Sequence, residues 1–247
     1  MCRYFSCIVT PDKKVHYSLR TNSHDELMEE LGIREKNNYE GLAVKIEVTP
    51  ATHKITRDIK DWILKVDDDT PEPDWYWNNR AKIEASIWEA WQKSIAVQLA
   101  IDTEFLTADN IIAYAYDKAH ITAQGTAKIE AYDSARVIAY DTARVTAYDT
   151  AQVIAGDSTR VQAYQNTTVR AKNTAIVKAE DTAKITAYHN THIKAIGHAH
   201  VDVYDDATVL LGCLATAKIC GFGVTVRKKG VIYVLPGTRV VQASEVN

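Results

Sequence analysis

The sequence is poor in the residues on which disulfide scaffolds and flexible linkers depend. Its 247 residues include 4 cysteines, 5 prolines and 10 glycines. The cysteines form no Cys-x-x-Cys pair, and four in a chain of this length do not make a disulfide framework, so we expect a reduced, cytoplasmic protein. No apolar run is long enough to cross a bilayer and no signal peptide is expected, so no membrane partner is predicted.

An excess of basic charge is also missing. The net charge is −3, and residues 109–212 carry ten Lys and Arg against twelve Asp and Glu. Proteins that bind nucleic acid mainly through its phosphates carry a concentrated basic field, which this composition does not supply. Nucleic-acid binding or mimicry is therefore an alternative and not the main prediction.

Proline is absent from residues 75–235, and this stretch contains a repeat of eight residues. Twelve consecutive octads, residues 117–212, carry Ile or Val at one fixed position. Ala or Thr stands two residues before it, and Ala stands two residues after it in the first ten octads. This alternation predicts a strand, and the spacing of eight with its β-branched content does not fit an Ala-rich helical array.

Each octad also contains a predicted corner. Its first residue is Asp seven times, Gly twice and Asn once, and these residue types tolerate the left-handed backbone that tight corners need. A Thr or Ser that follows can bond a backbone group at the bend. One short strand buries too little apolar surface to order itself, so the octads must stack into a β-solenoid.

The number of octads in each coil is open between two and three. Two are favoured, because Ala on both sides of Val fits two sheets that lie close together, whereas a triangular coil would leave voids. With two octads per coil, Lys128, Arg144 and Arg160 form a basic stripe. With three, the stripe consists of Arg136, Arg160 and Lys184.

The N-terminal end of the chain differs from the repeat. Residues 1–104 contain all five Trp and predict a small α+β domain. Its strands are expected at 3–10, 15–19, 42–48 and 62–66. Ser23 and Glu26 predict a capping box for a short helix. A longer Trp-rich helix is predicted at 79–99, where it would cap the open end of the solenoid at 105–212.

The C-terminal end, residues 213–247, is predicted to be a β cap. Apolar runs at 224–227 and 231–235 flank Lys-Lys-Gly and predict a hairpin. A last strand is expected at 239–243.

Cys2 is a weak catalytic candidate. Removal of the initiator methionine would expose an N-terminal Cys, and the opening Met-Cys-Arg-Tyr resembles that of amidotransferase-type hydrolases, which use such a nucleophile. The chain lacks the His-Asn-Gly and Gly-His-x-Arg segments of that class, and about 100 residues are too few for its layered fold. The simpler interpretation is a small residue at the start of a strand. No catalytic activity and no cofactor are therefore predicted, with a Cys2 hydrolase as an alternative.

Two clusters offer ligands for metal ions. His198, His200 and Asp202 are predicted to lie on the same side of one strand and are weak metal candidates, although solvated surface histidines explain them equally. The acidic run at 67–74 fits either a divalent ion or the start of the following helix, whose dipole acidic residues stabilise. The prediction is therefore that no metal is bound.

Outward side chains of the solenoid are the predicted binding surface. Stacked tyrosines anchor partners well, and arginines recognise acidic groups. Stacking within the ladder and a solvated face are the alternative explanations. The predicted binding residues are Tyr116, Tyr132, Tyr140, Tyr148, Tyr164, Tyr188, Arg136, Arg144, Arg160 and Lys184.

The octads resemble those of bacterial ice-nucleation proteins. The nearest match to their Tyr-Gly-Ser-Thr-x-Thr-Ala unit is Tyr-Asp-Thr-Ala-Arg-Val-Thr-Ala at 140–147. Ice-binding surfaces use regular arrays of outward Thr, whereas the outward column here is charged and irregular. The resemblance thus covers the repeat and not the ice-binding face.

The sequence more closely resembles a group of Ala-Val-x-Ala-Tyr-Asp-Ser/Thr octad proteins common in bacteriophage and prophage genomes. Their short N-terminal domain similarly opens with Met-Cys-Arg and carries a Ser-His-x-x-Leu helix, here Ser23, His24 and Leu27. The resemblance implies a non-enzymatic scaffold or binding protein, either an inhibitor of a host factor or a virion component, in the host cytoplasm or the virion. A protein partner is expected, and self-association is a second prediction.

Overall fold

The computed structural model describes residues 4–34, 41–52, 54–68, 73–212 and 214–220, together with the backbone of three later strands. The chain divides into two compact units, Met1–Gln98 and Leu99–Asn247. Strands predominate, as the sequence predicts. Within the described residues, no helix is both long and apolar enough to cross a bilayer.

The N-terminal unit contains a four-stranded antiparallel sheet and three helices. The strands, in the spatial order β2-β1-β3-β4, are β1 (Phe5–Val9), β2 (Val15–His16), β3 (Val44–Pro50) and β4 (Trp62–Val66). The helices are α1 (His24–Glu30), α2 (Asp74–Trp77) and α3 (Arg80–Gln98), and a 3-10 turn spans Ile59–Asp61. These elements confirm the predicted α+β class.

Local signals explain where the helices begin. The Ser23 hydroxyl accepts a hydrogen bond from the Glu26 amide at 3.4 Å, so Ser23 caps α1. The Ser23 amide donates to the Thr21 hydroxyl instead of to the Glu26 side chain, so the Ser23 half of the predicted capping box is the half that forms. In α3 the apolar stripe faces the core, and Ile83, Ile87 and Trp91 are buried. The predicted capping of the solenoid by this helix concerns the arrangement of the two units and stays a prediction.

The antiparallel sheet presents different residues on its two faces. Ile8 packs with Leu27 and Met28 of α1. On the other face Trp62 contacts Trp91 of α3, with ring centroids 5.1 Å apart. These two layers order the unit and bring the start of α1 against the sheet.

The second unit is a parallel β-solenoid with two sheets. The ten-stranded sheet contains β5 (Leu99–Ala100), β7 (Ile112–Ala115), β9 (Lys128–Ala131), β11 (Arg144–Ala147), β13 (Arg160–Ala163), β15 (Ile176–Ala179), β17 (His192–Ala195), β19 (Thr208–Leu211), β21 (Thr225–Lys228) and β23 (Val241–Gln242). The nine-stranded sheet contains β6 (Phe105–Asp109), β8 (His120–Gln124), β10 (Arg136–Ala139), β12 (Gln152–Ala155), β14 (Thr168–Ala171), β16 (Lys184–Ala187), β18 (His200–Val203), β20 (Thr216–Ile219) and β22 (Val231–Val234). Successive strands alternate between the two sheets.

Strand register confirms two octads per coil. Val153 pairs with Val137 and Val169, so each residue lies against the residues sixteen positions away. The Ile/Val column and the Ala columns beside it point inward and are 0–3% exposed. Ala keeps the two sheets close enough for the β-branched side chains to fill the space between them.

The corners use the predicted left-handed backbone. Asp141 has φ of +57°, and the corner residues from Asp117 to Asp205 that are not glycine share this conformation. The Asp141 carboxylate accepts a hydrogen bond from the Gly125 amide of the preceding coil at 2.9 Å, and the Thr142 hydroxyl donates to the Gly125 carbonyl at 3.0 Å. The Asp-Thr pair thus fastens each coil to the previous one, which is the reason this dipeptide recurs.

The predicted C-terminal hairpin is wrong. β21 pairs with β19, and β22 pairs with β20, both in parallel, so these strands belong to opposite sheets. A Lys-Lys-Gly segment predicts a change of chain direction, which hairpins and solenoid corners have in common. Each of the two strands pairs with the exposed edge of the previous coil and not with the other strand. The parallel ladder thus extends from Leu99 into the segment predicted as a separate cap.

Candidate functional site

Basic side chains form half of the outward positions along the middle strands of the ten-stranded sheet. Five of them are cationic along β9 to β17, against the single carboxylate of Glu130. We call this surface the basic face, defined by Lys128, Arg144, Arg160, Lys178 and Lys194. All are exposed except Lys178, which is half-buried and pairs with Glu180 at 2.5 Å.

The register places three cations of the basic face in direct succession. Arg144 lies between Lys128 and Arg160 in the parallel ladder. None of the three forms an ion pair with another described residue. Like charges side by side on a sheet repel each other, so this column carries an electrostatic cost.

The stripe expected for three octads per coil does not form. Arg136 and Lys184 lie on the nine-stranded sheet, opposite to Arg160. There, Arg136 is flanked by neutral Gln152 and by His120, so its charge is not repeated in the next coil. The nine-stranded sheet therefore offers isolated cations where the basic face offers a row.

The six predicted binding tyrosines fall into two columns. Tyr116, Tyr132, Tyr148 and Tyr164 follow strands of the ten-stranded sheet and border the basic face. Their ring centroids are 4.8, 4.9 and 5.3 Å apart, and neighbouring rings are within 11° of parallel. We call these four residues the tyrosine column. The inner rings are covered on both faces, so a partner would meet ring edges, and the Tyr132 hydroxyl donates to the Glu130 carboxylate.

The other two tyrosines lie on the second corner. Tyr140 is 43% exposed, and Gly156 takes the place of a tyrosine in the next coil, where an added Cβ would lie 3.4 Å from the Tyr140 ring. Tyr188 stacks on Tyr204 at 5.0 Å, and the Arg170 guanidinium lies 5.2 Å from the Tyr188 ring. A hydrogen bond with the Cys220 thiol raises the pKa of Tyr204. This column is interrupted and presents a less regular surface.

The predicted histidine cluster is only partly assembled. His200 Nε2 lies 3.4 Å from Asp202 Oδ1, and His200 Nδ1 lies 2.7 Å from the Thr216 hydroxyl. The prediction that His198 lies on this strand is wrong. His198 occupies the Thr/Ser position of the corner, where its amide donates to the Asp181 carbonyl. Only two of the three expected ligands therefore come together.

A different set of metal-binding groups meets in the N-terminal unit. One ligand atom from each of His24, Glu47 and Asp67 lies within 4.8 Å of the other two. The sequence pointed to Asp67 through the acidic run at 67–74, but it gave no signal that paired this residue with the other two. Asp74 starts α2 after Pro73, so that part of the run matches the helix-start interpretation.

The remaining candidate groups give less support to a functional site. Cys2 lies outside the described residues. Cys7 is buried in β1, and burial raises the pKa of its thiol far above the usual range, which disfavours the nucleophilic thiolate. A cleft of about 530 Å³ beside α1 is lined by Lys45, Asp25 and Glu29 among others.

No protein-family model, curated protein or solved structure matches this chain.

Proposed function

We propose that this protein is a non-enzymatic binding scaffold that presents the basic face and the tyrosine column to an acidic protein partner. The observation that carries this proposal is the row of Lys128, Arg144 and Arg160, whose charges repeat in adjacent coils without an ion pair to any described residue. Carboxylates of a partner would relieve the mutual repulsion, and each arginine can hold a carboxylate through two hydrogen bonds.

The tyrosine column favours a protein over a nucleic acid. Proteins that bind single strands stack bases on open aromatic faces. Here the faces of Tyr132 and Tyr148 are occupied by neighbouring tyrosine rings. The ring edges that border the basic face match the contacts that tyrosine makes at protein interfaces.

The solenoid suits recognition better than catalysis. Catalytic sites need polar groups that converge on a concave pocket. The outward side chains of the two sheets repeat side by side and do not converge. Because each inner strand is hydrogen-bonded on both sides, the surface is held in place before a partner arrives, which reduces the entropic cost of binding.

The resemblance to octad proteins of bacteriophage and prophage suggests two settings for this surface. In one, the protein inhibits a host protein by covering an acidic site on it. In the other, the protein is a component of the virion and binds another virion protein. The basic face serves both, and the identity of the captured partner distinguishes them.

The test compares two charge-reversed baits in affinity capture from the native host. Arg144→Glu with Arg160→Glu reverses the row, whereas Arg136→Glu with Lys184→Glu changes the net charge equally on the opposite sheet. We expect wild type and the second bait to capture one acidic protein that the first bait loses. All four positions are exposed, so each change should alter stability by less than about 0.5 kcal/mol.

Two further readings of the same experiment decide the class of partner. Capture should survive nuclease treatment and weaken steeply as salt is raised, because the contacts are charged and accessible to solvent. Equal capture by both charge-reversed baits would contradict the proposal. Loss of the captured material on nuclease treatment would replace the protein partner with a nucleic acid.

A further inference from the structure

We infer that His24, Glu47 and Asp67 bind one divalent transition-metal ion of the Zn²⁺ class. The site lies within the N-terminal unit and does not depend on the basic face. Its ligands come from three elements: His24 is the first residue of α1, Glu47 lies on β3, and Asp67 follows β4 directly.

The spacing of the ligand atoms fits shared coordination. His24 Nδ1 lies 3.2 Å from Asp67 Oδ2, and the Glu47 carboxylate completes a group within 4.8 Å. Two ligands on a tetrahedral ion with bonds of about 2.0 Å lie roughly 3.3 Å apart. A charge-assisted hydrogen bond between the same atoms would be shorter, about 2.7–2.9 Å. The observed 3.2 Å separation is close to the distance between two ligands of one ion and also lies within ion-pair range.

The second ring nitrogen of His24 defines the tautomer. Nε2 lies 3.2 Å from the carbonyl oxygen of Ile46. A carbonyl oxygen only accepts, so Nε2 carries a proton, and Nδ1 is the ring nitrogen that lies beside the Asp67 carboxylate. Metal-bound histidines typically donate their other N–H to a backbone carbonyl in this way. Nδ1 is therefore the nitrogen that would coordinate the ion.

A buried hydroxyl group beside Glu47 provides an independent observation. The Ser6 side chain is 1% exposed, and its Oγ has no hydrogen-bond partner among the described residues. Ser6 pairs with Glu47 across β1 and β3, and directly paired residues project to the same face of a sheet. A water molecule in the hydration shell of an ion bound by Glu47 would provide the hydrogen-bond partner that Ser6 Oγ lacks among the described residues.

The donor set selects the class of ion. An imidazole nitrogen with two carboxylates suits Zn²⁺, Mn²⁺ or Co²⁺, whereas Mg²⁺ and Ca²⁺ prefer shells made of oxygen alone. His24 is buried, but Glu47 and Asp67 are half-buried, so an ion can enter from the solvent side. Three protein ligands leave room for at least one water molecule.

The test is a calorimetric titration of the metal-depleted full-length protein with ZnCl₂. We expect one saturable site in the wild type. Glu47→Gln and Asp67→Asn keep the side-chain size but remove the anionic ligand, and each should weaken binding at least about tenfold. The matched control is His200→Asn with Asp202→Asn, which removes the histidine–aspartate pair of the solenoid and should bind as the wild type does.

Two further measurements distinguish loss of the metal site from misfolding, and the proposed ligands from cysteine ligands. Zn²⁺ should raise the melting temperature of the wild type and the control but not that of Glu47→Gln. Co²⁺ bound to the wild type should show ligand-field bands without the thiolate charge-transfer band that a cysteine ligand would produce. The inference is overturned by a lack of saturable binding, by wild-type affinity in either ligand variant, or by Mg²⁺ binding as tightly as Zn²⁺.

Discussion

At the scale of single residues, three threonines test how strictly the solenoid core needs apolar side chains. Thr159, Thr167 and Thr191 occupy the small-residue column that is otherwise mostly Ala, and all three are 0% exposed. The Thr159 hydroxyl donates to the Gly156 carbonyl at 2.8 Å. The hydroxyl groups of Thr167 and Thr191 have no partner among the described residues. An unpaired buried hydroxyl costs about 1–3 kcal/mol.

The same substitution should therefore have opposite effects at two of these sites. Thr167→Val keeps the side-chain shape and removes the unpaired hydroxyl, so we expect the free energy of unfolding to rise by about 1 kcal/mol. Thr159→Val removes a satisfied hydrogen bond and should lower it by about 1 kcal/mol. Thermal melts followed by circular dichroism measure both, with a shift of about 2–4 °C expected in each direction. If both variants move the melting temperature the same way, the hydrogen-bond assignment is wrong.

At the scale of elements, the corner is the unit that joins one coil to the next. A corner residue must both adopt the left-handed backbone and supply an oxygen atom to the preceding coil. Asp141 does both, with φ of +57° and a bond of 2.9 Å from the Gly125 amide. Gly supplies only the backbone conformation, and Ala supplies neither feature.

Substitutions of Asp141 should separate the two contributions. Asp141→Asn retains both and should change the free energy of unfolding by less than about 0.5 kcal/mol. Asp141→Gly loses the hydrogen bond, at about 1 kcal/mol. Asp141→Ala also acquires strain in the left-handed region, which adds roughly another 1 kcal/mol. The expected order of melting temperatures is therefore Asn, Gly, Ala, and an Ala variant as stable as the Gly variant would contradict the backbone argument.

The sequence could predict the octad elements because several signals agree within each octad. Apolar alternation, corner residues and the lack of proline all indicate one strand and one corner, and the small Ala columns also indicate the two-octad coil. Local signals do not specify, however, which strands pair with each other. The Lys-Lys-Gly segment could not distinguish a hairpin from a corner. The expected position of His198 on a strand was wrong because His198 is the second residue of a corner, and β18 begins only at His200.

The cluster at His24 shows a second limit of sequence analysis. Its ligands are 23 and 20 residues apart along the chain, and Glu47 and Asp67 approach each other only because β3 pairs with β4. No periodic pattern in the N-terminal unit records that pairing. By contrast, the row of Lys128, Arg144 and Arg160 follows directly from the repeat once the coil size is known.

At the scale of the whole molecule, regular stacking creates the candidate surface and also a hazard. A solenoid repeats each outward side chain at every coil, which is how three cations and four tyrosines come to lie in rows. The same regularity leaves each sheet with an edge strand at the N-terminal end of the ladder. In the described strands β5 and β6 are the N-terminal edges of their sheets, and Phe105 of β6 is 82% exposed. Such edges pair with other chains unless they are covered or charged.

The predicted role of α3 as a cap can be tested by deleting residues 1–98. If α3 covers the first coil, the fragment 99–247 should self-associate or aggregate, whereas the full chain should not, as measured by light scattering at matched concentrations. Thr107→Lys would place a charge on the outward side of the edge strand β6 and should restore the fragment to a monomer, because charged side chains block strand addition. The matched control is Thr186→Lys on the inner strand β16, where no edge is available and no rescue is expected. A fragment as soluble as the full chain would show that the first coil protects its own edge, and the N-terminal unit would then be needed for the metal site and not for capping.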